Sequence, residues 1–379
     1  MRILHVTKKY PNAIGGDAVC VYNLQIQQAA AGHDVFVLTA NSREAISKEN
    51  IYKFGLLTSS FDWDGVNLKR VLSLALFFFK SFFILKKLKP DIIHSHACDL
   101  GFFIALWAKI WRIPVIQTCH SITFPHPHLA VVKRYSEWFF LRFGLFDKII
   151  TIDYNLLPLF KKYKLRNFEY FNIAGVDYEQ FGEAKNNLCL SKNGGVKFIY
   201  VGRIEPLKGL DYLLRAVTVL KERNLKFELW IVGDGPSRKD LEELSCRLGL
   251  EGYVKFFGAV DERGKLIQTY CLADVFVLPS LLEGLPLTVL EAWAAGLAVI
   301  STRIGMLSHI GKDGDNIMFV PFRDEGALAK AMAQAAENSV LRENLGVSGR
   351  KLAAERYSWP AVAKQLELKY ITLLNPENA

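Results

Sequence analysis

Two stretches, one at the start of the chain and one just past its middle, read alike. Each has a short apolar strand, a turn with paired or spaced glycines, and a helix. Residues 2–6 lead through Gly15-Gly16 into a helical pattern from Ala18 to Ala31. Val196 to Val201 leads through Gly202 and Gly209 into a helix from Leu210 to Lys221. Bare glycine backbone lets a phosphate or sugar approach a helix N-terminus, so each unit is the opening of a Rossmann-like fold. The first turn lacks the Gly-x-Gly-x-x-Gly spacing of a dinucleotide site.

The pattern continues on both sides. Buried-type strands are expected at 34–39, 91–95, 114–118, 148–152 and 168–173, then at 227–232, 254–257, 274–278, 298–301 and 316–320, with helices between most of them. Alternating strand and helix means parallel α/β sheets. A chain of 379 residues exceeds the size at which one core stops growing, so two domains are expected. Residues 178–195, with Gly182, Asn186, Asn187, Gly194 and Gly195, are the best linker. The expected division is 1–180, completed by a helix within 358–379 that returns to it, and 181–357. The fold class is therefore α/β, two Rossmann-like domains facing a central cleft.

The net charge of +9 is uneven, with 22 Lys and Arg against 14 Asp and Glu in residues 1–180, and 25 against 24 in the remainder. A basic half means nucleic acid, anionic lipid or a phosphorylated substrate. No helix-turn-helix, zinc-finger or aromatic-glycine RNA-binding signature is present, which disfavours nucleic acid. The six cysteines (20, 98, 119, 189, 246, 271) have no metal or paired spacing, as expected of reduced thiols in the cytoplasm. The N-terminal apolar run is too short for a signal peptide. Val71 to Leu85 is the most apolar segment, but Lys80 interrupts it, and it falls short of the ~20 residues of a membrane span. It is read either as a buried crossover helix or as a helix lying in an anionic membrane interface, with Trp138 to Phe146 as a second candidate.

Chemistry concentrates in Leu278 to Ala292, a strand running through a polar turn into an apolar helix. Pro286 suits the first helical position, which puts Glu283 before the helix and Glu291 in its second turn. An apolar setting makes Glu291 costly unless it is paired. Arg203 and Lys208, in a turn of the same half, are the partners expected for this carboxylate pair. They also suit a diphosphate, a guanidinium forking onto it and a lysine adding a point charge. His120 closes the strand 114–118, at the carboxyl end where open sheets bind ligands. His94 with His96, and His126 with His128, have metal-like spacing, but no further ligand type accompanies either pair and no metal is assigned. Asp62-Trp63-Asp64 matches the Asp-x-Asp of metal-dependent sugar transfer and is read as a chance match, since it ends no clear strand.

Three strings together carry a resemblance: Val201-Gly202-Arg203 with Lys208-Gly209, Val232-Gly233-Asp234-Gly235-Pro236, and Leu278-Pro279-Ser280 through Glu283-Gly284-Leu285-Pro286 to Glu291-Ala292. In order and spacing they resemble the retaining family-4 glycosyltransferases of GT-B fold. The resemblance implies transfer of a hexose-type sugar from a nucleotide-sugar to a sugar or lipid-linked acceptor in surface-polysaccharide or glycolipid assembly, with no cofactor and no metal. It implies that Arg203 and Lys208 hold the donor diphosphate, Glu291 the ribose and Glu283 the sugar ring, with His120 against the donor sugar. Gly202, Gly233, Gly284, Leu285 and Pro286 would border the donor, and Gly15 and Gly16 the acceptor and diphosphate. The chain departs from the family at Met306, Ser308 and His309, where a glycine, a proline and an acid are usual, and at Ile317 and Ala174. An epimerase or phosphorylase of the same fold, or a non-catalytic sugar- or membrane-binding protein, are the other readings.

Overall fold

The computed structural model describes residues 1–10, 16–41, 50–54, 68–120, 131–187 and 195–375, and within them every strand belongs to one of two parallel sheets. The chain divides into unit 1, Met1–Ala174 with Val362–Ala379, and unit 2, Gly175–Ala361.

Unit 1 holds β1 (Arg2–Lys9), β2 (Asp34–Asn41), β3 (Ile51–Lys53), β4 (Ile92–Ser95), β5 (Val115–Cys119), β6 (Lys148–Thr151) and β7 (Phe168–Tyr170), in the order β3-β2-β1-β4-β5-β6-β7. Unit 2 holds β8 (Val196–Val201), β9 (Phe227–Val232), β10 (Val254–Gly258), β11 (Val275–Leu278), β12 (Ala298–Thr302) and β13 (Met318–Val320), in the order β10-β9-β8-β11-β12-β13. Both orders run outward from a first strand and then reverse, the doubly wound Rossmann arrangement, whose ligands bind beyond the carboxyl ends of the strands at the reversal. The reversal lies between β1 and β4 in unit 1 and between β8 and β11 in unit 2.

Strands covered on both faces read as continuous apolar runs, and β11 (Val-Phe-Val-Leu) and β12 (Ala-Val-Ile-Ser-Thr) are buried throughout. The helix Leu210–Glu222 buries Leu210, Leu213, Leu214, Val217 and Leu220, the spacing of one helical face. Trp293 is fully buried in unit 2, its indole N–H donating to the Asn316 carbonyl at 2.8 Å.

The stretch expected as a linker begins instead with the helix Tyr178–Asn187, because Phe181 anchors it in the unit 2 core. Residues 188–194 lie outside the described residues. The terminal helix Trp359–Leu374 does return to the first sheet, burying Leu366 and Tyr370, and Lys369 pairs with Glu169 at 2.9 Å.

The apolar segment is the helix Leu68–Leu88, the crossover from β3 to β4. One face buries Ser73, Phe77, Ser81 and Leu85. The other leaves Phe79 and Phe83 63% and 67% exposed beside Lys80, Lys86 and Lys87. Among the described residues no helix is long and apolar enough to cross a membrane.

Candidate active site

At the reversal of unit 2, β8 ends in Val201 and hands the chain to Gly202 and Arg203. This turn is fastened to the one after β9 by the Gly202 and Ile204 N–H groups, which donate to the Val232 and Asp234 carbonyls at 3.0 and 2.9 Å. Gly233 makes the approach feasible: its φ is 137°, and a Cβ there would come within 1.9 Å of the Gly202 carbonyl oxygen. Gly209, at φ 65°, does the same toward β11, since a Cβ would meet the Pro279 carbonyl oxygen at 2.4 Å. The Leu281 N–H donates to the Leu207 carbonyl at 2.8 Å and completes the seam.

These backbone contacts bring Lys208 to Glu283. The Lys208 Nζ donates to Glu283 Oε1 at 2.6 Å, and the Ser280 hydroxyl donates to the same oxygen at 3.2 Å. Arg203 is different. Its side chain is 69% exposed, and its charged partner is Glu205, at 3.6 Å. Lys208 is thus held in place, while Arg203 is extended into solvent beside it. Two cations and two carboxylates, Glu205 and Glu283, share this end of the sheet.

Glu291 is held elsewhere. Its Oε1 accepts from the Arg263 guanidinium and its Oε2 from the Tyr270 hydroxyl at 2.8 Å, while Arg263 Nη2 reaches Asp177 at 3.3 Å. Arg203 and Lys208 are therefore not the partners of Glu291, contrary to the sequence expectation. The start of the helix Arg263–Cys271 lies closer to it in the fold. Burial opposes the Arg263 charge, but Glu291 and Asp177 outweigh it and raise its pKa; burial and then Glu291 push the Tyr270 phenol well up. Pro286 caps the helix Leu287–Ala294 with extended backbone rather than occupying its first position, a shift of one residue that leaves Glu291 in the second turn. The Gly284 carbonyl accepts from the Met306 N–H at 2.9 Å, so the loop with the altered residues 306, 308 and 309 packs on the Gly284-Leu285 turn.

The reversal of unit 1 carries histidines instead. His5 on β1 pairs in register with His94 on β4. His5, His94 and His96 are buried, and His120, just past β5, is half-buried. His5 Nδ1 lies 3.1 Å from His96 Nε2, and His96 Nδ1 lies 3.0 Å from His120 Nε2. His5 Nε2 faces the Gln28 Oε1 at 2.8 Å; His94 Nδ1 faces the Tyr370 hydroxyl at 2.6 Å, and its Nε2 the Thr118 hydroxyl at 2.7 Å. Burial lowers the pKa of His5 to about 4, and burial followed by the neighbouring rings lowers those of His94 and His96 well below the usual value. The three interior rings are neutral at pH 7. Their ligand atoms lie within 4.8 Å of one another, as a metal site requires. All six ring nitrogens are nevertheless engaged in hydrogen bonds, which an ion would have to break.

Gly16 opens the helix Gly16–Ala30. Gly15, Asp62, Trp63, Asp64, His126 and His128 lie outside the described residues.

Residues 189–352 match the family profile of glycosyl transferases group 1, and residues 14–166 that of glycosyltransferase family 4. The chain is 35% identical to D-inositol 3-phosphate glycosyltransferase 2 of Catenulispora acidiphila, over 72% of this chain and 68% of that one. It is 34% identical to the phosphatidyl-myo-inositol mannosyltransferase of Mycobacterium leprae, over 75% and 74%. The chain belongs to the family-4 glycosyltransferases. Its fold is that of Anabaena HepE, solved in complex with UDP, at TM-score 0.75 and 16% identity over 98% of this chain and 100% of that one.

In this glycosyltransferase the sequence reading missed Arg263, Tyr270 and Asp177 around Glu291, and Gln28, His5 and Tyr370 behind the later histidines. A signal existed for His94 and His96, because residues two apart on a strand share a face. None existed for Arg263, which sits among Asp261 and Glu262 like any solvated cation.

Proposed function

We propose that the enzyme transfers a hexose-type sugar from a nucleoside-diphosphate donor, with retention and without a metal, to a sugar or lipid-linked acceptor in surface-polysaccharide or glycolipid assembly. The observation that carries this reading is the placement of Arg203 and Lys208 after β8, and of Glu283 after β11, at the carboxyl ends of the two strands where the order of the unit 2 sheet reverses. Arg203 and Lys208 bind the diphosphate, lined by Gly202 and Gly233. Glu283 takes hydroxyls of the sugar ring beside Gly284, Leu285 and Pro286, and Glu291 takes those of the ribose. His120 contacts the donor sugar; Gly15 and Gly16 border the acceptor.

The chemistry follows from charge. As the diphosphate departs, negative charge grows on its oxygens and positive charge on the sugar. Cations fixed where the negative charge develops lower the barrier, each such donor typically by about 3 kcal/mol. The acceptor hydroxyl adds to the anomeric carbon on the face the diphosphate leaves, and its proton passes to a phosphate oxygen. No carboxylate nucleophile is needed, and Glu283, already holding Lys208, is committed as an acceptor.

A thermal-shift panel of nucleotide-sugars identifies the donor, because a ligand of the native state alone raises stability by mass action. Product NMR then reads the anomeric configuration, and assays with chelator read the metal requirement. Inversion, or activity lost to chelator and restored by one divalent ion, would refute the respective part. Turnover of the donor without any acceptor would favour an epimerase.

The apolar outer face of the helix Leu68–Leu88, with its three flanking lysines, supports attachment to an anionic membrane surface on the cytoplasmic side. Salt-sensitive sedimentation with anionic vesicles, absent with neutral ones, is expected; equal behaviour with both would refute it.

A further inference from the structure

We infer that Arg263 and Tyr270 are positioning residues that hold Glu291 as a doubly anchored carboxylate for the adjacent hydroxyls of a ribose, and that Asp177 and Phe181 hold Arg263 in turn. The inference rests on the reading that Glu291 takes the ribose hydroxyls. Every residue in it belongs to unit 2.

Each oxygen of Glu291 has its own donor. Oε1 accepts from Nη1 of Arg263, and Oε2 accepts from the Tyr270 hydroxyl at 2.8 Å. The phenol has one proton and two acceptors in reach, Glu291 at 2.8 Å and the Thr288 carbonyl at 3.5 Å. The shorter bond, to a charged oxygen, takes it. Tyr270 is fully buried, its ring centre 5.8 Å from that of Phe181 and 6.1 Å from that of Phe276, so the donor is locked by packing and cannot turn away. Arg263 spans two carboxylates, with Nη1 on Glu291 and Nη2 on Asp177 at 3.3 Å, and its guanidinium lies 5.7 Å from the centre of the Phe181 ring. The rigid fork of an arginine reaches both partners at once; the point charge of a lysine does not.

The consequence is a preset acceptor. An ionised carboxylate has about four lone-pair directions, and Arg263 and Tyr270 take one on each oxygen, which leaves one on each for a ligand. The Glu291 side chain is 13% exposed, while Tyr270 behind it is closed to solvent, so a ligand meets the carboxylate from one side. Two acceptor directions on neighbouring oxygens suit two hydroxyls on neighbouring ring carbons. Charge points the same way: one guanidinium serves both Glu291 and Asp177, so the group keeps an excess of negative charge and Glu291 stays a strong acceptor. Because the carboxylate is ordered before the ligand arrives, a hydroxyl bonded to it bears less of the ordering cost. The ligand class selected is a ribonucleotide over a deoxyribonucleotide.

The test uses the full-length enzyme and calorimetric affinities for UDP, GDP and ADP beside their 2′-deoxy forms. The unaltered enzyme should bind its preferred ribonucleotide about 10- to 100-fold tighter than the 2′-deoxy form. Tyr270→Phe and Arg263→Gln should each cut that ratio by about threefold or more, by weakening the ribonucleotide. A pair that serves stability alone would weaken both forms alike and leave the ratio unmoved, which overturns the inference. Arg263→Lys, which keeps the charge but not the fork, should recover part of the loss. In a Glu291→Gln background, Tyr270→Phe should change the ratio no further, since residues acting through one another are not additive; an undiminished second loss overturns the inference as well. Where Arg263→Gln does not fold, Tyr270→Phe, which keeps the buried ring, and the double variant decide. Equal affinity of the unaltered enzyme for the two forms, or binding of none of the three nucleotides, defeats the assignment of Glu291 to the ribose and the inference with it. A preference lost in Glu291→Gln but intact in Tyr270→Phe and Arg263→Gln defeats the inference alone.

Discussion

The two sheets reverse their strand order in the same way, yet they place opposite chemistry at the reversal. In unit 2 the strand ends carry charge: Lys208 on Glu283, Arg203 beside Glu205, and Glu291 held by Arg263 and Tyr270. In unit 1 the same region carries imidazoles linked nitrogen to nitrogen, with His5, His94 and His96 neutral. The difference teaches what the fold leaves open. A doubly wound sheet fixes where a ligand is met, and a few residues on β1 and β4 and just past β4, β5, β8 and β11 decide whether the strands carry ions or imidazoles.

The contrast breaks most visibly at Arg203. Because its side chain projects into solvent, Arg203→Ala should leave the melting temperature unchanged and lower transfer by about 100- to 1,000-fold; full activity in the folded variant would remove charge as the working principle of unit 2. Unit 1 should respond to acid. His5 is held at about 4 when folded and returns to about 6.5 when unfolded. Above pH 6.5 both states are neutral, and below it the unfolded chain takes up a proton that the folded one refuses. Stability therefore falls as pH drops from 6.5 to 4, by about 3 kcal/mol for His5 alone. Denaturant titrations across that range, compared with a His5→Gln variant in which this slope is reduced, measure it. Next in size is Glu291→Gln, which leaves the buried part of the Arg263 guanidinium facing an amide. It should cost about 2 kcal/mol in denaturant unfolding and weaken donor binding in calorimetry. The smallest effect is expected at Phe83→Ser on the exposed helix face, within about 0.5 kcal/mol in stability while vesicle binding drops.

The sequence made the strands legible where they are buried on both faces, because such strands are continuous runs of Val, Ile, Leu and Phe. It failed at Ile51–Lys53, an edge strand of three residues too short for any period. It also missed the helix Tyr178–Asn187 within the expected linker, where asparagines and a glycine hid the single phenylalanine that docks it. Within the site, Lys208 and Glu283 were legible as neighbours because both flank glycine turns at strand ends. The Arg263–Glu291 pair was not, since nothing local distinguishes a guanidinium that will be drawn onto a carboxylate 28 residues later. The histidine chain joins three strands and two helices, and no single stretch contains more than two of its members.

The return of the last helix to the first sheet orders events during synthesis. Tyr370, which closes the hydrogen bonds of His94 and Gln28, leaves the ribosome after every residue of unit 2. Unit 2 lies wholly within Gly175–Ala361, so all of its sequence is made while unit 1 still lacks its final piece. Domains fold as units, in the order their chains are completed. The nascent enzyme therefore carries a finished second domain and an unfinished first one in which His94 Nδ1 lacks the Tyr370 hydroxyl. A stop codon just before Val362 would strand the protein in that state, its second domain built and its first without the Tyr370 contacts.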